Sequence, residues 1–160
     1  MKNERNSGDK RGNIITILKD VKCLFLDTAP LIYYVEKHPQ YRRILKFIIS
    51  RIDKGSITAF TSPVTLAECL IHPYRRGLID LQKDFTDLIV NGKNTTFVTI
   101  DHTISQQAAQ LRASYNLPLV DAFQVATAIS SGCDTFLTND LSLKQVKEIR
   151  ILVLADMGRK

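Results

Sequence analysis

Five short runs of aliphatic, aromatic and β-branched residues recur along this chain, separated by stretches with helical spacing. That alternation restricts the fold more than any other feature. The runs cover roughly 22–26 (KCLFL), 57–61 (ITAFT), 96–100 (TFVTI), 135–138 (TFLT) and 149–154 (IRILVL). Each is mostly apolar on both faces, as a strand is when helices cover both sides of its sheet. Between them, LIYYVE follows Pro30, and residues 41–53 gather Ile44, Leu45, Ile48, Ile49 and Ile52 on one helical face. Ser62-Pro63 reads as an N-cap and first helical residue ahead of VTLAECLI. Residues 78–90 (stopped by Asn91-Gly92), 103–115 and 118–131 (stopped by Gly132) complete the helices. Strands and helices alternating over short links predict an α/β fold: a three-layer α/β/α sandwich with a short parallel central sheet.

The 160 residues suit one domain. Residues 1–13 are rich in Gly, Asn and charge and lack periodicity, so a disordered basic leader is expected over residues 1–20 and a single domain over 21–157. The start is too polar for a signal peptide, and no apolar run approaches membrane-spanning length, which points to the cytoplasm. Cys23, Cys69 and Cys133 are an odd, widely spaced set without CxxC and read as reduced core thiols. Cys69 and His72 have the spacing of half a zinc site, but there is no second half. Net charge is +6, and half of the excess lies in residues 1–22, which carry six Lys/Arg against three Asp/Glu. A basic surface favours a polyanionic partner, and it also fits simple solubility.

Four lone acids stand at the ends of these runs or early in the helices that follow: Asp27, Glu68, Asp121 and Asp140. Each has an ordinary reading. Asp27 before Thr28 is a helix cap or a ligand. Glu68 is six residues past Ser62, too far for a capping box, and is an exposed helical acid or a site residue. Asp121 opens a helix that is apolar nearly all round, where Asp121, Gln124 and Thr127 make the only polar stripe. It serves the helix dipole or a site. Asp140 in TND is a turn residue or a ligand. In a parallel sheet all four map to one edge, where four acids would repel one another unless a hard divalent cation joined them.

The order and context of LDTAPLIYYVE, SPVTLAECL and LPLVDAFQVATAISSGCDTFLTND resemble a PIN domain, the nuclease fold of VapC-type toxins, from about residue 22 to 155. The resemblance implies that Asp27, Glu68, Asp121 and Asp140 are the catalytic acids and bind Mg²⁺ or Mn²⁺, with Thr28 and Thr138 beside them. Asp27, Asp121 and Asp140 would share one cation and Glu68 would lie near a second. The implied reaction is endonucleolytic hydrolysis of single-stranded RNA, leaving 5′-phosphate and 3′-hydroxyl ends. A small antitoxin protein and a homodimer are the implied partners. This chain departs from the family where Ala29-Pro30 stand in place of a common Asn, and in its longer start.

Candidate phosphate contacts are Arg42, Arg43 and Lys46 on one helix and Arg75 and Arg76 at the end of another, each otherwise part of a solvated face. Tyr33, Tyr34 and Tyr74 either stack bases or pack. A haloacid-dehalogenase-like phosphatase needs an acid where Ala29 stands, and GxGxxG and GxxxxGK[ST] are both absent. A catalytically weak PIN fold that binds RNA or protein, and a housekeeping RNA-processing nuclease, remain the rivals.

Overall fold

Residues 13–158 are described in this computed structural model. The strands are β1 (Cys23–Leu26), β2 (Thr58–Thr61), β3 (Thr95–Phe97), β4 (Thr135–Thr138) and β5 (Arg150–Val153). The helices are α1 (Thr28–Val35), α2 (Arg42–Asp53), α3 (Pro63–Arg76), α4 (Ile79–Val90), α5 (His102–Tyr115), α6 (Leu119–Ser130) and α7 (Leu154–Met157), with a 3₁₀ turn over Leu141–Gln145. The sheet has the order β3-β2-β1-β4-β5, and every pairing is parallel.

Strand alternation divides the interior into two cores. Leu24 and Leu26 of β1 enter one core with Leu31, the Ile44/Leu45/Ile48/Ile49/Ile52 stripe of α2, Cys69, Phe85 and Ile89. Phe25 points the other way, against Ala122, Val125 and Ala126 of α6 and Ile104, Ala108 and Leu111 of α5. Phe136 of β4 stacks on Phe25 with ring centroids 5.1 Å apart. A period of two on the strand and buried residues on both sides are what a three-layer α/β/α sandwich requires, and the fold is that one.

The strands match their expected runs within a residue or two, except at the edge. The run 96–100 yields a strand of only three residues, because β3 has β2 as its single neighbour and β2 ends at Thr61. One further bond, from Val98 N to Thr61 O at 2.9 Å, finishes the pairing.

The expected leader over residues 1–20 needs correction at its inner end. Residues 1–12 lie outside the described residues. Residues 13–17 are helical, and Ile14, Leu18 and Val21, spaced by four and three, are buried in the first core. The apolar burial of that short face outweighs its low intrinsic helicity. Arg150 holds the segment by donating to Ile17 O at 3.1 Å.

From β1 the chain moves out to β2 and β3, then returns to the opposite side of β1 for β4 and β5. The order therefore reverses between β1 and β4, and the loops at their carboxyl ends diverge and leave a crevice.

Candidate active site

Asp27 is the first residue after β1 and Asp140 the second after β4, so the two flank that crevice directly. Asp27 N donates to Leu137 O at 3.0 Å, which continues the β1–β4 ladder up to the acid itself. The residue is only 9% exposed. Oδ1 accepts from Thr28 N at 2.8 Å, capping α1, and Oδ2 accepts from Thr138 Oγ1 at 2.7 Å. The cap reading and the site reading of Asp27 thus describe its two different oxygens. Burial pushes the Asp27 carboxyl above its ordinary value, opposed by the hydrogen bonds from Thr138 and Thr28, while the charge of Glu68 adds to the rise.

Thr138 serves both strand ends. Its hydroxyl donates to Asp27 and accepts from Asp140 N at 3.0 Å. Asp140 is exposed, and its Oδ1 caps the 3₁₀ turn by accepting from Ser142 N at 2.9 Å. Across the crevice, Thr28 Oγ1 donates to Glu68 Oε2 at 2.5 Å, joining the start of α1 to the second turn of α3.

Asp121 lies in the first turn of α6 and is half-buried. Its carboxyl is pushed up to about 6, first by burial and then by the charges of Asp27, Asp140 and Glu68. The charges of the other three sequence-predicted acids thus all reach Asp121. Among the described residues, the ion pairs are Lys83–Asp87 and Lys144–Asp156, so none of the four acids has a cationic partner.

Four carboxylates with two threonine hydroxyls are an all-oxygen donor set, the kind that suits a hard divalent cation. The side chains do not yet close around a point. Among the described residues, no three His, Cys, Asp or Glu side chains converge tightly enough to hold an ion as they stand. Asp27 and Glu68 each accept a hydrogen bond from a threonine hydroxyl. Cys69, next to Glu68, is no nucleophile, because burial first and then the nearby acids push its thiol up to about 12.

The basic candidates stand apart from the acids. Arg42 and Lys46 line a cavity of about 760 Å³ with Tyr34, Lys37, Asp84 and Asp87, at the end of α1 remote from Asp27. Arg43 lines another, of about 880 Å³, with Ile14, Phe47 and Met157. Arg75 and Arg76 are exposed in the last turn of α3, roughly 10–12 Å along the helix from Glu68. Tyr33 packs on His38 and Tyr41, which is the packing alternative for that ring. One feature was not anticipated from the sequence: Ser62, Thr65 and Gln124, all fully buried, bond to one another behind the acids. The polar stripe of α6 was its only sign.

A family model described as a PIN domain matches residues 24–149. No curated protein matches the chain. Among solved structures, the VapBC2 complex of Rickettsia felis bound to a promoter DNA fragment contains a chain that superposes with a TM-score of 0.63 at 16% identity, covering 82% of this chain and 98% of that one. A toxin–antitoxin complex from Klebsiella pneumoniae gives 0.62 at 17% identity, covering 82% and 97%. VapC20 of Mycobacterium tuberculosis, a toxin that cleaves the sarcin–ricin loop, gives 0.61 at 16%, covering 79% and 98%. At these identities the likeness is one of fold.

Proposed function

The chain belongs to the PIN domain family, and from that premise we propose that it is a metal-dependent endoribonuclease acting on single-stranded RNA, as the toxin of a toxin–antitoxin pair. What supports this reading is that the charges of Asp27, Glu68 and Asp140 all bear on Asp121 beside the switch between β1 and β4, and that among the described residues none of the four has an ion-pair partner. Asp27, Asp121 and Asp140 would hold one Mg²⁺ or Mn²⁺, and Glu68 would lie beside a second. A divalent cation held by these acids would supply charge neutralisation for a scissile phosphodiester and would lower the pKa of a bound water towards neutrality.

The chain's own residues prepare that chemistry. Thr138 fixes one oxygen of Asp27 and the backbone of Asp140 together, so these two acids keep their spacing when the strand ends move. Thr28 fixes Glu68 on the opposite wall. Asp121 ionises near pH 6, so at neutral pH it carries the charge a cation needs. Arg75 and Arg76, on the helix that bears Glu68, are suited to hold the phosphates of an RNA strand leaving the crevice. Hydrolysis of this kind leaves 5′-phosphate and 3′-hydroxyl ends.

The exposed apolar residues Ile71, Tyr74, Leu78 and Ile79 at the α3–α4 elbow support a homodimer or antitoxin contact there. A neighbouring gene for a small antitoxin, relieving growth arrest on co-expression, would separate the toxin from a housekeeping RNA-processing nuclease. Among the described residues no helix is long and apolar enough to cross a membrane, which is compatible with work in the cytoplasm.

The test is to incubate the purified protein with single-stranded RNAs, with and without Mn²⁺, and to map the cut ends. Cleavage should require Mn²⁺ or Mg²⁺ and vanish in Asp121→Asn with the fold retained. Metal-dependent cleavage surviving in that variant would overturn the assignment. A folded wild type that binds RNA without cutting it would favour the binding-module reading, for which the open arrangement of the acids speaks.

A further inference from the structure

The polar stripe of α6 continues past Asp121 to Gln124, one turn on, and the metal chemistry above gives Gln124 no part. Its amide is fully buried, as are the hydroxyls it meets. Ser62 Oγ donates to Gln124 Oε1 at 2.5 Å, and Gln124 Nε2 donates to Thr65 Oγ1 at 2.7 Å. Ser62 Oγ also accepts from Thr65 N at 3.2 Å, the capping bond that starts α3. The amide therefore grips α3 at both its cap and its third residue.

Position makes this grip consequential. Thr65 lies one helical turn before Glu68, and Gln124 lies one turn after Asp121. A bridge between those two points sets the height and rotation of α3 against α6, and so the separation of the two acids they carry. A single amide thus ties together the two helices that carry Glu68 and Asp121. A buried glutamine merely filling space would leave its polar atoms unsatisfied; here both ends of the amide are bonded.

We propose that Gln124 is the positioning residue of the acidic site: clamped between Ser62 and Thr65, it sets the spacing at which Glu68 and Asp121 take up a divalent cation. The proposal rests on the metal-site reading above. Supports of metal ligands typically change metal affinity 10- to 100-fold when removed, without themselves touching the ion.

The experiment is calorimetric titration of Mn²⁺ into metal-free wild type, Gln124→Met and Thr65→Val, with the RNA KM and kcat measured on the same preparations. Met keeps the length of Gln without its hydrogen bonds, and Val keeps the shape of Thr. Gln124→Met should bind Mn²⁺ about tenfold more weakly. Thr65→Val should be weakened to a smaller degree, and kcat should fall in both with the RNA KM unchanged. Folded variants that bind Mn²⁺ within about twofold of wild type, whatever their melting temperatures, overturn the proposal and leave the metal site standing. Should Gln124→Met fail to fold, Thr65→Val alone decides by the same criterion. Wild type that takes up no Mn²⁺ removes the metal site and this proposal together.

Discussion

Thr138 donates a hydrogen bond of 2.7 Å to the buried carboxylate of Asp27 across the joint between β1 and β4. The same hydroxyl receives Asp140 N, so one small side chain registers two acids from strands more than a hundred residues apart in sequence. A hydroxyl buried completely at a strand end is tolerable only because both its donor and its acceptor roles are filled.

Thr138→Val should therefore destabilise the protein by about 1.5–3 kcal/mol at neutral pH, the range for a lost hydrogen bond to a charged group. The hydroxyl favours ionised Asp27, so its loss pushes that carboxyl still higher. The deficit relative to wild type should consequently grow as pH rises and ionises Asp27, and shrink in acid. Denaturant unfolding at pH 5 and pH 8 would measure this, and a deficit independent of pH would refute it.

Asp121 should make the metal-free protein more stable in mild acid. Its folded value of about 6 lies above the ordinary 3.8, so the folded chain holds the proton more tightly than the unfolded one between those two values. The penalty from this carboxylate is fully present above pH 6 and is relieved as pH falls towards 4. Allowing for solvent screening of a half-exposed group, it amounts to roughly 1–2 kcal/mol. Asp121→Asn lacks the penalty and should exceed wild type in melting temperature at pH 7.5 in chelator, but not at pH 4. Mn²⁺ at a hundred times its Kd should reverse the ranking by stabilising wild type by about 3 kcal/mol. Equal responses of the two proteins to pH and to Mn²⁺ would contradict the electrostatic account.

Leu18 bears on where the domain begins. It is fully buried against the first core, although it lies within the segment that composition assigns to a leader. Leu18→Ala should cost roughly 2–5 kcal/mol. A change below about 0.5 kcal/mol, as expected for surface positions, would show that the segment is not part of the folded unit.

The layers and the parallel sheet were legible because each rests on a local signal. Apolar runs such as CLFL and TFLT mark doubly covered strands, and a lone acid at the end of such a run stands out. The segment holding Leu18 was missed because a face of three residues, Ile14, Leu18 and Val21, is too short to register beside a charged leader. The Thr28–Glu68 and Gln124–Thr65 bonds were beyond reach for another reason. They join residues 40 and 59 apart, and only the mutual height of two packed helices determines which hydroxyl an amide or carboxylate meets. The basic side chains resisted placement because solvated charges leave no pattern that separates a phosphate contact from ordinary surface.

The reversal of strand order at β1 also governs when the site comes into being during synthesis. Asp27 leaves the ribosome early, but Asp140 and the Thr138 hydroxyl are made more than a hundred residues later and must slot in beside β1 as a central strand. Until that insertion the carboxylates belong to unconnected pieces of backbone. On the proposed reading, a half-made chain would be harmless to any strand the finished crevice cuts.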